Sequence, residues 1–376
     1  METTVYDQEV QNYPVHPVHL ANPDQLSVID CDIHNVDGYQ SPATEVWVDY
    51  MPSAWKDYHL SIAGRRRSGS NCPRAVPFAA RNDAFPPEGP PGSHLGFMQK
   101  QLLDTWKMDY GILNPLSPAG GQQNLEYGAA IAQAVNEWQI AEWLEKDERL
   151  RASLTVAYED ADLAVAEIER LGDHPGFVQL MFMARTMEPL GRRKYWKIYE
   201  AAVDYDLPIG IHFGGTGIGP ITGAGKAAHY IQDHGGMPMA FQAQVTSYVY
   251  EGVFERFPGL KIVLIEGGFG WVAPLMWRMD NWYRKLKMEV PYLKRLPSEY
   301  IRDHFYLTTQ PVEEPSDPAY FEQMLAHMDM DDKLMFATDY PHWDFDSPDQ
   351  ALRNISDREV KKQIMAENAR ELYDLD

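Results

Sequence analysis

Val28-Ile29-Asp30-Cys31-Asp32-Ile33-His34 sets two carboxylates and an imidazole into an otherwise apolar run. It has the texture of a β-strand, with β-branched residues on one parity and acidic or imidazole side chains on the other. Side chains two apart on a strand share a face, so Asp30, Asp32 and His34 are expected to point the same way. Two carboxylates and an imidazole aimed into one buried space cost several kcal/mol or more unless a partner or a metal neutralises them. A cation is the simplest explanation. A wet edge strand is the bland alternative, and the rest of the chain argues against it.

Working outward, the chain of 376 residues is 44% hydrophobic and can bury one large core. Lys+Arg 33 against Asp+Glu 55 gives a formal charge of -22, which excludes the basic surfaces that nucleic acid and anionic membranes reward. Only Cys31 and Cys72 are present, so no disulfide framework is expected and a reducing cytoplasm is the natural compartment. The opening METTVYDQEV lacks the basic and apolar regions of a signal peptide, and no run of about 20 apolar residues offers a membrane span.

Residues 1–26 read as a polar N-terminal arm. Residues of about 35–95 read as a long insertion after the first strand, holding Trp47, Trp55, Tyr58, Arg65-Arg66-Arg67 and FPPEGPPG; ordered loops of this length are usually lids or binding loops. Residues 27–376 are expected to form a single barrel. Seven more apolar runs follow the first strand: Tyr110–Leu113, Ala152–Val156, Phe177–Met181, Ile209–Phe213, Ile262–Glu266, Phe305–Thr309 and Leu334–Asp339. Between them, amphipathic helical patterns run over Gln123–Lys146, Asp160–Leu171, Arg193–Tyr205, Ala240–Phe257 and Trp271–Leu286. Eight strand–helix units predict a closed α/β (β/α)8 TIM barrel. A doubly wound dinucleotide fold lacks its G-x-G-x-x-G after the first strand.

Chemistry in such a barrel sits at the C-terminal ends of the strands. There the sequence puts Asp32 and His34 on the first, His212 on the fifth, Glu266 on the sixth and Asp339 on the eighth. Gly-Ile-His212-Phe-Gly-Gly and Glu266-Gly-Gly-Phe-Gly place glycines where the backbone turns tightly or a ligand approaches. Thr-Asp339-Tyr-Pro-His342 brings a further imidazole three residues on. Asp32, His34, His212, Glu266 and Asp339 are the predicted metal ligands. Asn114 and Gln310, after strands two and seven, and Trp343, beside His342, are the predicted substrate contacts. His229 and His234 are expected at the surface, beyond a mobile loop over Gly214–Pro220. Trp271, Trp277, Trp282 and Tyr283 are expected in the core or at a subunit contact.

The D-x-H after the first strand, I-H-F-G-G, G-G-F-G-W after "KIVL" and T-D-Y-P-H together resemble the amidohydrolase superfamily. The likeness is strongest to its amidohydrolase-related branch, which includes aminocarboxymuconate semialdehyde decarboxylase and resorcylate-type decarboxylases. The resemblance covers the barrel from about Val28 onward. It implies that Asp32 and His34 are the paired first-strand ligands, His212 the fifth-strand ligand and Asp339 the eighth-strand carboxylate.

Two departures shift the chemistry. Where the family commonly has histidine, this chain has Asp32 and Glu266, and Gln179-Leu180-Met181-Phe182-Met183 offers no lysine for a carbamate bridge. Three carboxylates at close quarters require either a protonated Glu266 or more than one divalent ion. The expected cofactor is therefore zinc, manganese or iron, one or two per chain.

The resemblance implies hydrolysis or non-oxidative decarboxylation of a small carboxylated or amide substrate, with Asp339 as base, Glu266 as proton donor and His342 beside them. The alternatives are an iron- or manganese-dependent, possibly dinuclear, oxygenase and a non-catalytic subunit paired with an active homologue. A homo-oligomer, or a hetero-oligomer with a homologous barrel, is expected.

Overall fold

Eight strands, all parallel and hydrogen-bonded in chain order, form the centre of the molecule: β1 Ile29–Ile33, β2 Tyr110–Leu113, β3 Leu150–Thr155, β4 Phe177–Met183, β5 Ile209–His212, β6 Ile262–Ile265, β7 Phe305–Thr308 and β8 Leu334–Met335. The computed structural model describes residues 26–35, 46–62, 79–214, 223 and 225–376. The N-terminal arm, Arg65-Arg66-Arg67, Cys72 and most of the Gly214–Pro220 loop lie outside the described residues.

The (β/α)8 barrel is thus present, with helices such as Leu125–Gln139, Ala161–Leu171, Met237–Tyr250 and Val272–Leu286 between strands. Short strands buried on both faces explain why they read as apolar runs rather than alternations. Asp160 caps its helix by accepting from the backbone N–H groups of Asp162 and Leu163, which fixes the predicted start.

β8 is shorter than the predicted Leu334–Asp339, because residues beyond Met335 close the barrel irregularly onto β1. Cys31 N donates to Phe336 O at 2.9 Å, His34 N to Tyr340 O at 2.7 Å and Asp339 N to Asp32 O at 3.1 Å. Asp30 completes the seam. Its carboxylate accepts from Thr338 N at 2.9 Å, from the Thr338 hydroxyl at 2.5 Å and from Asp32 N at 3.1 Å. The pairing register with β2 shifts between Asp30 and Ile33. Asp30 therefore does not join Asp32 and His34, as the simple two-residue period predicts; it staples strand one to strand eight just below them.

The opposite end of the barrel is covered by the C-terminal helix Asn368–Leu372, whose Arg370 reaches Ser27 Oγ at 3.2 Å and Asp109 at 2.8 Å, before β1 and β2. Within the insertion, the helix Ser53–Ile62 packs on the barrel helices, and buried His59 hydrogen-bonds the Tyr127 hydroxyl at 2.7 Å. Residues 79–81 pair with 341–343 at the catalytic rim: Arg81 N donates to Pro341 O and Trp343 N to Ala79 O. Trp271 and Tyr283 pack against the core, whereas Trp277 and Trp282 are about half-exposed on the outer helix. Among the described residues, no helix is long and apolar enough to cross a membrane.

Replacing Asp30 by Ala strands two backbone N–H groups and a hydroxyl at the seam. Asp30→Ala should lower the apparent unfolding free energy by about 3 kcal/mol, measured by urea denaturation, and Asp30→Asn by less.

Candidate metal centre

The five predicted ligands converge at the C-terminal mouth of the barrel. One ligand atom each from Asp32, His34, His212, Glu266 and Asp339 lies within 4.8 Å of all the others, and all five residues are buried. Glu266, directly after β6, and Asp339, four residues beyond β8, have φ of 58° and 60°. These left-handed conformations are costly for residues with side chains, and they turn both carboxylates back over the strand ends.

The imidazoles are fixed by their outer nitrogens. His34 Nδ1 lies 2.8 Å from Asn114 O, and His212 Nδ1 faces Phe213 O. Both carbonyls are acceptors, so each Nδ1 donates and each neutral ring presents the Nε2 lone pair to the site. His34 Nε2 then stands 2.8 Å from Asp339 Oδ1. A lone pair facing a carboxylate at that distance needs a proton or a cation between them. His212 Nε2 and Asp32 Oδ2 are buried with no hydrogen-bond partner among the described residues. His212 Nε2 lies 3.5 Å from Asp32 Oδ2 and 3.1 Å from Glu266 Oε2. Orphaned buried donors and acceptors of this kind fit a divalent ion.

The electrostatics agree. Burial, then the charges of Asp339, Asp32 and Asp344, push the Glu266 carboxyl well up. Burial alone would pull the His34 imidazolium down, but Asp32 and Asp339 outweigh it and raise it to about 9. Burial also pushes the Asp339 carboxyl upward, yet His342 and His34 hold it below the usual carboxylate range. Left without a cation, the cluster must retain protons to offset its repulsion, and a divalent ion would displace them.

A family model described as Amidohydrolase matches residues 29–375. The chain belongs to the amidohydrolase family. It is 24% identical over 299 residues to a gamma-resorcylate decarboxylase of Rhizobium sp. (strain MTP-10005), covering 73% of this chain and 86% of that protein. Its fold is similar to that of a dihydroxybenzoic acid decarboxylase from Polaromonas sp. JS666 with bound manganese and 2-nitroresorcinol (TM-score 0.66, 19% identity, 93% of this chain and 97% of the other). It is similar also to a 5-carboxyvanillate decarboxylase from Sphingomonas paucimobilis (TM-score 0.67, 21% identity, 94% and 100%).

This amidohydrolase has no lysine on β4, where the fully buried Phe177–Met183 carries Gln179 instead. Gln179 belongs to a ladder beneath the ligands. Tyr373 OH donates to Gln179 Oε1, Gln179 Nε2 to Ser153 Oγ, and Ser153 Oγ to Asn114 Oδ1; Asn114 Nδ2 donates to Asp32 Oδ1 at 2.9 Å. The structure therefore places Asn114, predicted to contact substrate, in full burial with its amide on Asp32. Gln310 is also buried, its Nε2 spanning Asp339 Oδ2 at 3.3 Å and Asp344 Oδ2 at 3.0 Å. Trp343 is half-exposed and donates from Nε1 to Tyr230 OH. His342 Nδ1 lies 2.6 Å from Asp339 Oδ1.

The sequence reading missed Asp344 and misplaced His234. His234 is half-buried rather than a surface residue, with Nε2 2.9 Å from Asp344 Oδ2. It arrives on the short helix Tyr230–Gly235, which the buried Arg185–Asp233 ion pair (2.8 Å) ties to the end of β4. Nothing in local spacing announces that contact. Asp344, two residues past His342, was the available signal.

Asn114→Ala removes the donor that orients Asp32. It should weaken divalent-cation binding by about 10–100-fold in calorimetric titration, and unchanged affinity would deny Asn114 that role.

Proposed function

We propose that this amidohydrolase is a manganese-dependent carboxy-lyase that releases CO2 from a small hydroxylated aromatic carboxylate. The observation that carries the reading is the buried Asp32, His34, His212 and Asp339 set, joined through Asp339 to the partly exposed His342. A dry cation-holding cluster with one proton-carrying connection to the outside suits a reaction that exchanges CO2 for a proton. The named relatives support the substrate class, and the missing β4 lysine argues against a carbamate-bridged hydrolase.

Bound by those residues, the ion supplies concentrated positive charge that neutralises the carboxylates and anchors anionic substrate oxygens. The chain does the rest. Asn114 and the ladder behind it fix Asp32. Gln310 holds Asp339 in place. The Trp343, Tyr230 and His234 rings, with centroids 5.3 to 6.4 Å apart, form a flat-walled rim suited to an aromatic ring. His342 passes a proton from the outside through Nδ1 to Asp339 Oδ1, which faces the site. The proton goes to the ring carbon that bears the carboxylate. The C–C bond then breaks, its electron pair returns to the ring and CO2 departs. Glu266 is a second carboxyl facing the same space.

CO2 release from hydroxybenzoates should proceed in anaerobic buffer. His342→Gln should lower kcat by about 10²–10⁴ with metal content unchanged, and Asp339→Asn should abolish turnover. An absolute requirement for O2, or wild-type turnover in His342→Gln, would contradict the assignment.

A further inference from the structure

We propose a second divalent-cation site beside the first, built by His234, Asp344 and Glu266, with Glu266 shared between the two. One ligand atom from each of the three lies within 4.8 Å of the others, and Glu266 belongs to both groups. His234 Nε2 and Asp344 Oδ2 are 2.9 Å apart. Donors bound at about 2.0–2.2 Å to one ion, at right angles to each other, stand about 3 Å apart, so this spacing suits ligation.

An independent observation comes from Glu266 itself. It is only 5% exposed, and its carboxylate accepts no hydrogen bond among the described residues. Its close neighbour is the likewise unpartnered His212 Nε2 at 3.1 Å. A buried carboxylate with two oxygens, no hydrogen-bond donor among the described residues and a place in both groups would suit a ligand shared between two cations.

Charge points the same way. Asp32, Glu266, Asp339 and Asp344 face one another with only histidines as ion-pair partners among the described residues. Arg185, the cation anchoring this corner, is committed to Asp233 and to the face of Phe213. One divalent ion balances two of the four carboxylates; a second balances the others. Gln310, fully buried, bridges the two halves through Nε2 and leaves Oε1 unpaired.

Two carboxylates and one imidazole select a manganese-, magnesium- or iron(II)-like ion over a soft one. The His234 and Asp344 side chains remain 14% and 12% exposed, whereas those of Asp32, His34, His212 and Asp339 are at most 1% exposed. The second ion therefore binds more weakly and exchanges faster than the first.

This inference rests on the metal reading of the first site, and the test separates the two. Full-length protein is stripped with chelator and titrated with Mn2+ by calorimetry and low-temperature electron paramagnetic resonance. Wild-type protein should bind two ions per chain: the first gives an isolated-ion spectrum, and the second broadens it through coupling. Asp344→Asn and His234→Gln, each checked for folding by circular dichroism, should bind one ion with the tight affinity kept. One ion per wild-type chain at saturation, or two in both variants, overturns the second site and leaves the first standing. No bound ion at all overturns both.

Discussion

Mutual repulsion among Asp32, Glu266 and Asp339, gathered where water is nearly absent, is the constraint on which the architecture of the mouth depends. Solvent cannot screen these charges, so fixed partners must. Three of the converging side chains are accordingly held from behind: His34 by the Asn114 carbonyl, His212 by the Phe213 carbonyl, Asp32 by the Asn114 amide. A ladder reaching to Tyr373 in the C-terminal segment steadies Asn114 in turn, so residues far from the mouth bear on the geometry of the ligands.

Delivering carboxylates to one point from strands one, six and eight also shapes the backbone. Glu266 and Asp339 take left-handed conformations, Glu266 directly after β6 and Asp339 in the irregular segment beyond β8. Glu313 steadies the turn after Glu266 by accepting from Phe269 N and Gly270 N, and Gly268 has a positive φ of 61° there. At the β8 end, the Asp30–Thr338 contacts add to the irregular backbone pairing with β1. Local backbone strain is concentrated where these side chains converge, as expected of a functional site.

The barrel and the convergence of Asp32, His34, His212, Glu266 and Asp339 were legible because strand periodicity and strand ends determine where those side chains go. The limits of legibility have physical causes. Asp30 shares the parity of Asp32, but the register shift beside it turns its carboxylate to Thr338. Asn114 was readable as a polar residue at a strand end, whereas the direction of its amide depends on Ser153 and Gln179 from other strands. His234 has no periodic signature, since the Arg185–Asp233 pair and the packing of a short helix bring it to Asp344. The insertion showed its aromatic content, but only tertiary packing reveals that Trp47 is buried and that residues 79–81 brace the His342 turn.

Anomalous diffraction from crystals of the full chain grown with manganese tests the metal centre most directly. A strong anomalous peak is expected among Asp32, His34, His212 and Asp339, with ligand distances of about 2.0–2.3 Å. Saturating manganese that left those four side chains in direct contact, with no peak between them, would contradict the metal centre.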